Sequence, residues 1–116
     1  MLSDLPAQCD LALYEGDTPT LFFDVSADLS GSSVYFTVKT LRGEVISKST
    51  HENDLEVDYR PELSETRVTF KRFPDALRGQ SRKSLLYDLQ VIFPNGFIKT
   101  YVHGSLELES DVSPDD

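Results

Sequence analysis

The chain has 116 residues, with 11 Lys and Arg against 20 Asp and Glu, a formal net charge of −9. That length suits one domain and allows roughly two-thirds of the unfolded surface to be buried, so no disulfide or metal is needed for stability. The charge is opposite in sign to the footprint that a duplex nucleic acid or an anionic membrane requires, and neither is expected as a partner. Cys9 is the single cysteine, which excludes an internal disulfide and a thiolate cluster for structural zinc. The stretch Met1-Leu2-Ser3-Asp4-Leu5-Pro6 lacks the apolar run of a signal peptide. Runs such as Val91-Ile92-Phe93 are too short to cross a bilayer, so folding in a cytoplasm is the expectation.

Period-two alternation runs through the chain, as it does in half-buried strands. It places Cys9, Leu11 and Leu13 on one face of a first strand, and Leu21, Phe23 and Val25 on one face of a second. Val34, Phe36 and Val38 then face inward, with Tyr35, Thr37 and Lys39 outward. A short strand near Val45 and Ile46 follows the Arg42-Gly43 turn. Leu55, Val57 and Tyr59 make the next inward set, then Thr66, Val68 and Phe70. The longest strand is expected to carry Leu85, Tyr87, Leu89, Val91 and Phe93, and the last to run through Leu106 and Leu108. Glu15-Gly16-Asp17 and Leu29-Ser30-Gly31-Ser32 supply turns, and Pro94-Asn95-Gly96 predicts a tight hairpin, because Asn-Gly tolerates positive φ. Phe73-Pro74-Asp75-Ala76-Leu77-Arg78-Gly79 predicts one helical turn crossing between sheets. The sum is an all-β, immunoglobulin-like antiparallel β-sandwich of eight or nine strands with one short helical crossover. Residues 1–8 read as an N-terminal arm, 9–109 as the sandwich and 110–116 as an acidic tail.

Few residues offer chemistry. His51 sits in the polar loop Ser49-Thr50-His51-Glu52-Asn53-Asp54, and His103 is expected to end a strand. Neither has the partners of a zinc site or the Gly-x-Ser-x-Gly elbow of a hydrolase, so both read as surface histidines. Asp17, Asp24 and Asp28 lack the spacing of a calcium loop and read as solvated acids. Asp88 interrupts an apolar strand, either facing solvent by alternation or bonding to backbone at a sheet edge. Cys9 is expected to act as a small core hydrophobe beside Leu11. No catalytic, cofactor-binding or metal-binding residue is expected. The segment Lys71, Arg72, Arg78, Arg82 and Lys83, opposed only by Asp75, reads either as a solvated crossover or as a docking surface for an acidic partner, including another copy of the chain.

The strand Leu86-Tyr87-Asp88-Leu89-Gln90-Val91, the turn Pro94-Asn95-Gly96, and Gly104-Ser105-Leu106-Glu107-Leu108 with Asp111-Val112-Ser113 form a pattern. It resembles small immunoglobulin-like virion proteins of tailed bacteriophages, of the baseplate and fibre-anchor type. Leu13 to Thr18, with its Gly-Asp-Thr turn, and Val34 to Lys39 extend the likeness, which covers roughly Leu11 to Ser113. Two features depart from it: the polar, basic insert Gln80-Ser81-Arg82-Lys83-Ser84, and Ser113 where the pattern has Thr. The resemblance implies a non-enzymatic particle component of the neck, tail, baseplate or fibre adaptor, or a head decoration. It would be made in the host cytoplasm, localised to the virion, and present as a symmetric homo-oligomer among other virion proteins. A carbohydrate- or surface-binding module of the same architecture is the alternative, with Tyr35, Phe22 and Tyr101 as its candidate aromatic contacts.

Overall fold

A computed structural model describes residues 6–15, 17–80 and 84–109. They form nine strands: β1 (Ala7–Gln8), β2 (Leu11–Tyr14), β3 (Phe22–Val25), β4 (Ser33–Thr40), β5 (Val45–Thr50), β6 (Leu55–Arg60), β7 (Glu65–Phe70), β8 (Ser84–Ile92) and β9 (Ile98–Glu109). The larger sheet has the order β1-β9-β8-β4-β5, with β2 also paired to β9, and the smaller sheet is β3-β7-β6. The chain is an all-β sandwich, and its neighbour order is that of immunoglobulin domains, B-E-D opposite G-F-C-C′. One expectation needs correction: β1 and β2 pair with β9 in parallel, so the sandwich is not wholly antiparallel.

The alternating apolar residues meet between the sheets. Val34, Phe36 and Val38 of β4, Leu85, Tyr87, Leu89 and Val91 of β8, and Leu106 and Leu108 of β9 are all buried. From the smaller sheet Val25, Leu55, Val68 and Phe70 close over them. Phe36 is the centre of an aromatic cluster, edge-on to Phe70 at 5.0 Å and stacked with Tyr87 at 5.2 Å. Such ring pairs each add about 0.5–1.5 kcal/mol beyond area burial. Strand β8 is central, between β4 and β9, although β9 is longer than expected and is the longest strand. His103 consequently lies inside β9 and does not end it.

Cys9 departs from the sequence reading: it is exposed. The ladder is interrupted between β1 and β2, and the backbone there presses against Gly104, where an added Cβ would collide with the Cys9 carbonyl oxygen. The Cys9 amide donates to His103 O at 2.9 Å, and Tyr87 Oη donates to Cys9 O at 2.7 Å. The carbonyl therefore turns toward Tyr87, and the thiol is displaced outward. Burial pushes the Tyr87 hydroxyl well above its usual pKa.

Two 3-10 turns are present among the described residues, the expected crossover and one more. Asp75–Leu77 lies in the predicted crossover between β7 and β8, follows Pro74 and inserts buried Leu77. Gly79 beyond it has φ +82°. Its amide also donates to the Glu15 carboxylate. Pro61–Leu63 caps the β6–β7 hairpin and ends on Ser64 with φ 52°. The Pro94-Asn95-Gly96 hairpin is three residues long, with Gly96 at φ +87° and its amide bonded to Phe93 O. This is the type I turn with a glycine bulge, so only Gly96 takes positive φ; Asn95 instead accepts the Phe97 amide through Oδ1 at 2.9 Å.

Candidate docking surfaces

The outer faces, edges and end loops of the two sheets differ in what they present to solvent. On the smaller sheet the outward positions are strongly charged. Asp24, Arg67 and Asp58 stand side by side on β3, β7 and β6, and Arg67 holds Asp24 through two bonds of 2.8 and 3.0 Å. That fork keeps the Asp24 carboxyl below its usual pKa. The same guanidinium lies 3.8 Å from the centre of the Phe22 ring, and Arg60 reaches Asp58 at 3.7 Å. Charges of both signs thus satisfy one another across this face.

The larger sheet carries a different outer surface. Lys48, Thr37, Asp88 and His103 form one cross-strand row, and Lys39, Leu86 and Ser105 the next. Asp88 faces outward on a central strand, as alternation requires, and is paired with Lys39 at 3.7 Å. A hollow of 360 Å³ beside it is lined by Asp10, Lys39, Asp88 and His103. Asp10 is committed to the Ser105 amide at 3.2 Å, which holds its carboxyl below the usual pKa. Asp28 is likewise lowered, by the Ser30 hydroxyl and then the Ser30 amide. Asp24 and Asp28 therefore serve partners within their own neighbourhoods and do not converge on a shared cation position.

Apolar side chains stand out at the two ends of the larger sheet. At the end where the β4–β5 turn and the C-terminal end of β9 lie, Leu41 is 64% exposed and Val45, Tyr14 and Leu86 are exposed as well. At the opposite end, Phe97 is 62% exposed and Ile98 follows it. There the β8–β9 hairpin forms a groove of 540 Å³ lined by Phe93, Pro94, Asn95, Phe97, Lys99 and Tyr101. The Phe93 and Phe97 rings are 6.3 Å apart and tilted, and Lys99 Nζ sits 4.8 Å over the Tyr101 ring. Sequence alternation assigns Phe93 to the core, and its partly buried side chain does pack against the core while also lining the groove. The available signal was a pair of phenylalanines flanking one Asn-Gly turn.

The basic segment is distributed differently from a single patch. Arg72 Nε bonds Asp54 Oδ1 at 2.8 Å, which raises the guanidinium pKa. Asp54, buried although it was read as part of a polar loop, also accepts the Ser49 hydroxyl at 2.9 Å and, through its carbonyl, the Lys71 amide at 2.7 Å. It ties the β5–β6 turn to the start of the crossover. Its signal was Ser49 five residues earlier, a polar residue at an inward position of β5. Arg78 is held by Asp75 at 3.1 Å and lies over the Phe73 ring. The Lys71 side chain borders a separate 610 Å³ cleft with His51, Leu29 and Val57. Arg82 and Lys83 lie outside the described residues, as do residues 110–116 of the acidic tail and Met1 to Leu5 of the arm. Among the described residues, the two arginines of the segment are drawn onto acids of their own chain. No protein-family model matches the chain, and no curated protein matches it.

Proposed function

We propose that the chain is a non-enzymatic structural protein of a bacteriophage particle, acting through subunit–subunit contacts at the neck, tail, baseplate or fibre adaptor, or as a head decoration. The sequence resemblance supports this reading, and one observation carries it: most of the exposed large apolar side chains gather at the two ends of the larger sheet, while the smaller sheet exposes only Phe22, beneath Arg67, and Leu63 in its hairpin turn, beside two ion pairs. Apolar surface of that kind marks contact sites, and opposite ends of one molecule suit repeated contacts between copies. Its partners are then other virion proteins and further copies of itself, without nucleic acid or membrane, and its location is the virion.

The reading is tested by mass spectrometry of purified particles, together with light scattering of the isolated chain across a concentration series. Stoichiometric presence in particles and concentration-dependent assembly are the expected results. Absence from particles combined with a monomer at every concentration overturns it. A glycan-binding module is the second reading. Its three candidate rings are each covered by a cation: Phe22 by Arg67, Tyr35 by Lys48 at 4.9 Å and Tyr101 by Lys99. Phe97 and Tyr14 are also exposed rings, and retention on a glycan column would favour this alternative.

A further inference from the structure

We propose that the hairpin groove of one copy receives the acidic segment Ser110–Asp116 of the next, so that copies join head to tail. The inference rests on the assembly reading above and names its contact. Three features of the two ends fit each other. The groove is aromatic, with Phe93, Phe97 and Tyr101 around Pro94, and Lys99 is its cationic group. The segment Ser110-Asp111-Val112-Ser113-Pro114-Asp115-Asp116 supplies an apolar residue and a proline among three aspartates, with no base. Proline rings pack flat on aromatic side chains, as they do in grooves that receive proline-rich peptides, and a carboxylate beside the ring pairs with the ammonium. In a chain with 20 acids and 11 bases, a lysine set among aromatic rings selects an anionic occupant.

Geometry assigns that occupant to a second copy. Strand β9 starts at Ile98 beside the groove and ends at Glu109, and twelve residues of strand span roughly 37 Å. The seven residues after Glu109 reach at most about 25 Å when fully extended. A chain therefore cannot fill its own groove with this segment, whereas a neighbour stacked end to end can. The exposed Leu41, Tyr14 and Val45 at one end and Phe97 and Ile98 at the other supply apolar surface around such a contact. The contact is heterologous, and it builds a ring or a filament according to the rotation between copies.

The test uses complementary variants. One chain stops at Glu109 and keeps its groove; the other carries Phe97→Ser and keeps its tail. Both should retain the wild-type circular dichroism spectrum, because Phe97 is exposed and a chain that stops at Glu109 keeps every described strand. Each alone should scatter as a smaller species than wild type, and their equimolar mixture should give one-to-one pairs and nothing larger. A synthetic Ser110–Asp116 peptide should shift the amide resonances of Phe97 and Lys99, and Lys99→Glu should weaken it by roughly tenfold, as loss of one charge-assisted contact does. A wild-type oligomer undiminished by either change overturns the tail contact and leaves the assembly reading standing. A monomeric wild type whose resonances ignore the peptide overturns both. Shifts produced by a glycan but not by the peptide also overturn the proposal and assign the groove to sugars.

Discussion

The two sheets finish their outer surfaces in different ways. On the smaller sheet, Arg67 lies between Asp24 and Asp58 and stacks on Phe22, so the exposed ring shares its surface with a paired guanidinium. On the larger sheet the centre is polar, with Lys39 on Asp88, but the ends leave Leu41, Val45, Phe97 and Ile98 uncovered. Both sheets are built from the same alternating sequence and share one core. The difference teaches that solvent-facing positions are not interchangeable: one set pairs its charges within the chain, and the other leaves apolar side chains uncovered at both ends of its sheet.

Substitutions can separate these roles. The largest effect belongs to the core that both sheets share: Tyr87→Ala should cost about 3–5 kcal/mol in chemical denaturation, as large aromatic truncations do. An unchanged midpoint would contradict the stacking of Tyr87 on Phe36. Next comes the attachment of β1 and β2 to the larger sheet. Gly104→Ala forces a methyl into the Cys9 carbonyl and should cost roughly 1–3 kcal/mol, with faster hydrogen exchange in β1 than in β4. Preserved protection of β1 would show that the close approach is dispensable.

Acid should probe the face of the smaller sheet. Asp24, like Asp10 and Asp28, has a folded pKa below the usual 3.8. Each carboxylate stabilises the fold fully above that value, and its contribution is lost as pH falls through the lower folded value. The melting temperature should hold between about pH 7 and pH 5 and drop below about pH 4. Asp24→Asn should blunt the drop and render the melting temperature less sensitive to salt. A variant with the wild-type acid profile would show that the Arg67 fork contributes nothing. The smallest effect on stability is expected at the end of the larger sheet: Phe97→Ser should change it by no more than about 0.5 kcal/mol while altering assembly. A large stability loss there would make Phe97 a packing residue and erase the contrast between the faces.

Much of the fold was legible because burial is periodic. Val34, Phe36 and Val38, or Leu85, Tyr87, Leu89 and Val91, alternate cleanly, and their strands lie as alternation predicts. Alternation failed where backbone geometry or polar chemistry overrides it. Cys9 fits the apolar period, yet the close passage over Gly104 turns its carbonyl inward. Ser47 and Ser49 are buried on β5 but carry no hydrophobic signal, and Asp54 is buried because Ser49 and Arg72 satisfy its carboxylate. The basic segment was visible as charge, but side-chain pairing decides what that charge faces. Sequence could not show Arg72 folding back on Asp54 or Arg78 on Asp75. The hairpin groove was hidden for a related reason: Phe93, Phe97 and Tyr101 become neighbours only when the three-residue turn brings β8 and β9 together.

Hydrogen exchange of the full chain at dilute and at assembling concentrations tests the central claim most directly, because it reads both faces at once. Protection should rise in the β8–β9 hairpin and around Leu41 to Val45, with β3, β6 and β7 unchanged. Protection gained mainly on β3, β6 and β7, or gained nowhere while the chain assembles, would contradict the account.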